Sequence, residues 1–247
     1  MITTLKIRLK SENGLNQNMS SLLHGYMVEN VNAEFAEKIH ISELRTYSQY
    51  LKKCNDEWFW VINSLDDYTK ENLIDKLTNS DEIYLKNKDI RLEILSYEIS
   101  RTSFDKLFES NYYSDNNLSR FINFQFTSPT AFKSGGQYIN YPDIRMLFSS
   151  VIKKYDNASE NTSIYDENMF NSLLESVRIT DYNLRSCYFH LEGVKIPSFM
   201  GRVTIKVNGS KNMVSLVHML TDFAEYSGIG IKCAIGMGAV SKNNKTR

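Results

Sequence analysis

The strongest constraint on this chain is the order in which its hydrophobic periods change, because a two-residue period marks a strand and a 3.6-residue period a helix. Ile2, Leu5, Ile7 and Leu9 stand among Thr, Lys and Arg, so residues 2–9 read as a strand with one irregular step. After the turn-rich stretch at 11–14, residues 19–31 place Leu22, Leu23, Tyr26, Met27 and Val31 at helical spacing. Ala33, Phe35, Ala36 and Ile39 give a second short helix over 33–39 that ends near His40. Strands follow at 44–53 and 57–64, joined by Asn55-Asp56 as the turn. Asp66-Asp67 caps a helix at 67–78, and Ile90, Leu92 and Ile94 alternate as another strand. The polar run at 110–118 has neither period and marks a boundary.

Beyond it the same order returns. Residues 121–126 are a strand, helices are expected at 142–155 and 167–176, and strands at 181–192 and 199–208. A helix at 211–226 and a terminal strand within 231–242 complete the unit. Two successive β-α-β-β-α-β units describe an α+β chain of two tandem ferredoxin-like (RRM-like) domains, 1–112 and 118–247, each with helices on one sheet face and the other face open. RNA-recognition motifs share this topology, but their aromatic signature run is missing, so topology alone does not establish RNA binding.

Hydrophobic residues at 42% and charged residues at 23% fit a globular chain and exclude a fibrous or disordered one. No stretch approaches the roughly 18 apolar residues of a membrane span, and the start lacks a signal core, so no membrane partner and a cytoplasmic location are expected. Cys54, Cys187 and Cys233 are too far apart for a C-x-x-C metal half-site, and neither a metal nor a cofactor is expected. Formal net charge is zero, which at first argues against a polyanionic partner. Its distribution reverses that: residues 54–119 carry 7 basic and 14 acidic groups, residues 120–247 carry 15 and 10. The chain can therefore present a basic face while its sum is neutral.

The most specific local pattern is Gly228-Ile229-Gly230-Ile231-Lys232-Cys233-Ala234-Ile235-Gly236-Met237-Gly238, two G-h-G elements around a single lysine. Glycine lets backbone amides approach an anion, so Gly228, Gly230, Gly236 and Gly238 with Lys232 can cradle phosphates; the alternative is a turn that needs glycine only for its dihedrals. Neither a Walker A loop nor a Rossmann turn has this spacing, which makes ATP and NAD poor ligands here.

That loop, its place behind the last helix and the tandem ferredoxin-like order resemble CRISPR-associated endoribonuclease family six, which processes precursor CRISPR RNA. Ser128-Pro129-Thr130-Ala131-Phe132, Tyr141-Pro142-Asp143 and Phe199-Met200-Gly201 fit the same family. The resemblance covers nearly the whole chain. It implies metal-independent cutting of CRISPR repeat RNA by attack of the substrate 2′-OH, leaving a 2′,3′-cyclic phosphate and a 5′-OH. It also implies an effector ribonucleoprotein as a partner and a homodimer as an assembly. Because related repeat-associated RNA-binding proteins share the glycine signature without cleaving, a non-catalytic RNA-binding subunit is the alternative.

Such a reaction needs a base, an acid and positive charge on the phosphorane, and histidine supplies the first two near neutral pH. The sequence has four histidines. His40 stands where the family's catalytic histidine is expected. His24 lies one turn before Val28, the position where many relatives carry a tyrosine, and can supply the second group. Where some relatives have a lysine after the histidine this chain has Glu43 and Arg45, which leaves Lys38 or Arg45 as the transition-state cation. Arg120, Lys133, Arg145 and Arg202 are further RNA-contact candidates. His190 shares a strand face with Tyr188, and His218 reads as a helix-surface partner of Asp222.

Overall fold

The computed structural model describes residues 1–11, 14–78, 80–113, 118–159 and 162–242, with the backbone alone at residue 87. Parts of the expected turn at 11–14 and of the polar run at 110–118, and the last five residues, lie outside the described residues.

The first half builds β1 (Ile2–Lys10), α1 (Ser20–Glu29), α2 (Ala33–Ile41), β2 (Tyr47–Cys54) and β3 (Glu57–Ser64). Single turns α3 (Asp67–Thr69) and α4 (Asp75–Leu77) follow, joined by a π segment at Lys70–Ile74, and then β4 (Glu82–Leu85) and β5 (Ile90–Thr102). The strands form one antiparallel sheet in the order β2-β3-β1-β5-β4. The hairpin turn falls at Asn55-Asp56 as expected, with φ of 48° and 64°, the left-handed pair that matches strand twist. Leu5, Ile7 and Leu9 face inward with Trp60 and Ile62, and α1, α2 and the π segment bring Leu23, Met27, Phe35, Ile39 and Leu73 over them.

Past α5 (Phe104–Tyr112), the second half holds β6 (Phe121–Thr130), a small hairpin β7 (Phe132–Ser134) and β8 (Gln137–Ile139), then α6 (Ile144–Ala158) and α7 (Glu167–Ser176). The long hairpin β9 (Val177–Leu191) and β10 (Val194–Val207) precedes α8 (Lys211–Ser227) and β11 (Val240–Lys242). Its sheet order, β11-β6-β10-β9, repeats the plan of the first, in which the opening strand lies between the last and the third. Phe124, Phe126, Val203 and Ile205 meet Leu147, Phe148, Val217 and Phe223 in its core, which also takes in Leu107 from α5.

Several boundaries move. The strand expected to open at 199 begins at Val194, although Pro197 reads as a breaker. Proline is tolerated because β10 pairs β6 only from Phe199 onward, so at residue 197 one side of the strand has no ladder to break. The strand expected from 181 starts at Val177, directly out of α7. Nor is the second face of the first sheet fully open. Ser48 donates to the carbonyl of Tyr226 on α8, and Asn63 Nδ2 donates to Ser48 Oγ at 3.0 Å.

The glycine loop is where the two halves lock. Its short 3-10 turn (Cys233–Ile235) leans on the first sheet, and Ala234 belongs to the first core. A Cβ at Gly236 would stand 2.2 Å from Ser20 Cβ at the start of α1, and one at Gly230 would stand 2.3 Å from the carbonyl oxygen of Ala131. Gly236 also has φ of 116°, which side chains rarely adopt. Gly236→Ala is therefore expected to lose about 1–3 kcal/mol by overpacking and strain, a melting-temperature drop of roughly 2–4 °C per kcal/mol in a chain of this size. Thermal denaturation followed by circular dichroism measures it, and an unchanged melting temperature would mean that the contact carries no weight.

Candidate functional site

Three elements converge at the candidate site: α1, the C-terminal end of α2, and the first residues of β2. Asn32 caps α2 through its side chain, which accepts from the Phe35 N–H at 2.7 Å, and Phe35 and Ile39 anchor the helix in the core. The chain then turns through 42–46, held by Arg45 Nε donating to the Ile39 carbonyl at 3.0 Å. That bond draws the guanidinium under the helix end and sets Tyr47 at the start of the strand.

The structure brings His24, Tyr47 and Arg45 together. His24 Nε2 and the Tyr47 hydroxyl are 3.0 Å apart, and the two rings lie nearly parallel at 14°. Burial, with the Arg45 charge adding to it, lowers the His24 pKa to about 4, so the ring is neutral at neutral pH. Burial raises the Tyr47 phenol to about 12, against the pull of Arg45, so it stays protonated. Tyr47 is only 2% exposed and so acts on His24 rather than on a substrate. Sequence reasoning missed it. A polar aromatic opening a strand two residues after Arg45 was the available signal.

His40 is exposed on α2, next to Ile39 whose carbonyl holds Arg45. Lys38 stands on the other flank, two residues and about 200° away around the helix, with Nζ 3.9 Å over the Tyr68 ring. Of the two expected cations, Arg45 is at the cluster and Lys38 is not.

Of the outlying contact candidates, Arg120 donates to the carbonyls of Val207 and Gly209, at 3.0 and 2.8 Å, and so braces the second sheet. Arg202 pairs with Asp181 at 2.7 Å on the open face of that sheet. Lys133 and Arg145 lie exposed, 5.8 Å from the rings of Tyr138 and Phe170 respectively. His218 is corrected: it is 5% exposed, its Nε2–H donates to the Ser119 carbonyl at 2.7 Å, and burial lowers its pKa. His190 reaches the tip of the β9–β10 hairpin.

The expectation that glycine amides cradle phosphates is also corrected, because those amides already have protein acceptors. Gly228 N–H donates to Ala224 O, Gly230 N–H to Ser150 Oγ, Gly236 N–H to Cys233 O and Gly238 N–H to Pro129 O. Lys154 Nζ reaches the carbonyls of Gly228 at 2.9 Å and Gly230 at 3.1 Å, and Cys233 Sγ at 3.0 Å, closing the loop from the α6 side. Lys232, half-buried with φ of 56°, keeps its ammonium without a protein partner among the described residues.

The His24 environment has a pH signature. In the unfolded chain His24 takes its proton near pH 6.5, whereas in the fold it resists until about pH 4. Its contribution is intact above about pH 6.5 and is lost as pH falls toward 4, because only the unfolded state gains the proton in that window. His24→Gln should therefore lose less melting temperature than the parent between pH 7 and pH 4. Equal losses in a denaturation series across that range would show that His24 is not held neutral.

Comparison with known proteins gives a consistent result. A family model described as CRISPR-associated endoribonuclease Cas6 matches residues 124–240. The chain is 31% identical over 224 residues to the CRISPR-associated endoribonuclease Cas6 of Streptococcus thermophilus, covering 91% of both chains. It is 27% identical over 240 residues to that of Mycobacterium tuberculosis, covering 96% of this chain and 76% of the relative. A solved Cas6 product complex superimposes with a TM-score of 0.81 at 19% identity, covering 99% of this chain and all of that one. Thermus thermophilus Cas6 gives 0.69 at 20% identity over 98% of each chain. Among the described residues no helix is long and apolar enough to cross a membrane. The tandem ferredoxin-like fold, the glycine loop and the near full-length likeness to the Streptococcus thermophilus relative place this chain in the CRISPR-associated endoribonuclease Cas6 family.

Proposed function

We propose that this chain cuts the repeats of precursor CRISPR RNA by attack of the substrate's own 2′-OH, without a metal, and leaves a 2′,3′-cyclic phosphate and a 5′-OH. The observation that carries the reading is the neutral His24 held by Tyr47 beside Arg45, whose Nε is bonded to the carbonyl of Ile39, the residue before the exposed His40. Cleavage by a neighbouring hydroxyl needs a group to take the 2′-OH proton, a group to protonate the leaving 5′-oxygen, and a cation facing the phosphorane. A base must be unprotonated when substrate arrives, which His24 is. His40, open to solvent and with no hydrogen-bond partner among the described residues, serves the leaving oxygen. Arg45, fixed by the Ile39 carbonyl, supplies the charge. Lys232 and the basic second half hold the flanking phosphates, and the cut RNA passes to an effector ribonucleoprotein.

His40→Ala and His24→Ala should each lower single-turnover cleavage of an end-labelled repeat RNA by about a hundred-fold or more, the usual size of an acid or base contribution. Affinity should change only a few-fold, because these groups act in the transition state. Excess chelator should leave the parent's discrete product and its cyclic-phosphate end unchanged. No product in any condition, with tight binding retained, would identify a non-catalytic RNA-binding subunit. For Lys232→Ala, affinity for RNA with a 2′-deoxy at the cut should fall about equally for all sequences, with a salt slope shallower by roughly one unit or less. Superimposed salt series would leave the loop a purely structural element.

A further inference from the structure

A groove of about 600 Å³ runs along the outer side of α1, bounded by the Asn16–Asn18 stretch, the end of β4 with the turn after it, and the tip of the β9–β10 hairpin. Its floor contains Gly25, the residue after His24, and this glycine is not explained by the fold. It sits in the middle of α1, where glycine is about 1 kcal/mol worse than alanine. Its φ is not positive, and a Cβ built on it meets nothing within 4 Å. Gly230 and Gly236 are glycines because the protein itself occupies the space; at Gly25 that space is empty. What glycine contributes there is bare helix backbone at the bottom of an open groove.

The walls have a consistent chemistry. Tyr26 and Tyr84 add aromatic surface on either side of Gly25. Asn18 lines the groove with a side-chain amide that has no protein partner among the described residues. Lys86 is tied to Glu29 at 3.1 Å, whereas Lys88 has no ion pair among the described residues and stands at the rim with His190 and the Glu192 carboxylate. Flat aromatic surface, an amide and a rim lysine are the groups that take a nucleobase by its face and edge and a phosphate by its charge. A base available for such stacking is an unpaired one, and a groove this size takes one or two nucleotides.

We propose that this groove is a pocket for an unpaired nucleotide of the RNA next to the scissile phosphate, with its base lying against α1 at Gly25. The proposal rests on the RNA-cutting reading above and adds where one base beside the cut is recognised. Because the floor is the helix that carries His24, occupying the groove fixes the substrate relative to the base.

The test uses the full chain and a repeat RNA with a 2′-deoxy at the cut, with single abasic sites placed in turn at each unpaired nucleotide flanking it. Gly25→Leu fills the groove from its floor. It should melt at or above the parent's temperature, since the helix improves and nothing is displaced, while binding about ten-fold or more weaker, the scale of one lost stacked base. One abasic position should weaken the parent by a similar factor and leave Gly25→Leu unaffected. Lys88→Glu, fully at the surface, should reproduce the loss without touching the helix. Parent-like binding by both variants, or abasic penalties that are the same in parent and Gly25→Leu, overturns the groove. Failure of the parent itself to bind repeat RNA overturns instead the reading of the chain as a repeat-RNA nuclease.

Discussion

The close approach of Gly236 to Ser20 is the contact on which the arrangement of this molecule depends. Ser20 is the first residue of α1 and a junction of hydrogen bonds. Its carbonyl accepts from Gln49 Nε2 at 2.9 Å, its hydroxyl accepts from the Leu51 N–H at 3.2 Å, and Gln49 in turn accepts from the Trp60 indole at 2.9 Å. All of these groups are buried, where an unmade hydrogen bond costs about 1–3 kcal/mol, so the set forms as a unit or not at all. The glycine loop therefore fixes the start of α1 against β2. One turn further along the same helix stands His24, and at the head of the same strand stands Tyr47. Through this chain a loop of the second half determines the geometry of a site carried entirely by the first.

Within that site, burial and charge act in the same direction on His24 and in opposite directions on Tyr47. Desolvation and Arg45 both oppose an imidazolium, whereas desolvation opposes a phenolate that Arg45 would favour. Both groups are consequently neutral, and the 3.0 Å bond between them carries no net charge into a half-buried place. Arg45 is the local cation, and the bond from its Nε to the Ile39 carbonyl fixes its position. A neutral pair beside one fixed cation presents a positive group to an anion, and the imidazole stays unprotonated until an anion offsets the Arg45 charge.

The fold was legible because it is written in periodicity: the first sheet follows from positions such as Leu5, Ile7, Trp60 and Ile62, and the second from Phe124, Phe126, Val203 and Ile205. Elements stabilised by tertiary contact were not legible. The short strand β4 and the β7–β8 hairpin are too brief to show a period, and α5 is ordered by packing of Phe104 and Leu107 on α8 and the second core. The β10 strand opens five residues before the expected 199 because Pro197 is harmless where a strand has one free side. At the site, His24, His40 and Arg45 could be named from residue type and family likeness, but Tyr47 and the neutrality of His24 could not. Both depend on burial that α1 and β2 create only when they meet. The position of Lys38 could not be read either: helical spacing places it across α2 from His40, above Tyr68.

The glycine loop shows why a motif can report a family more reliably than an activity. Its amides donate to Ala224, Ser150, Cys233 and Pro129, its carbonyls accept from Lys154, and its glycines are dictated by Ser20 and Ala131 pressing against them. Of these constraints the pressing of Gly236 on Ser20 sets how the two halves meet, and the others shape the loop within the second half. None involves His24, His40 or Arg45 directly. Substituting those three would leave the loop's packing intact, so selection on the loop alone preserves the fold whether or not the chemistry is kept. The dependence runs one way: the candidate groups need the loop to hold α1 and β2 in register, while the loop needs nothing from them. Evidence for cleavage must therefore be sought at the α1–β2 junction, where neutral His24, Tyr47 and Arg45 sit together, and not in the glycine signature.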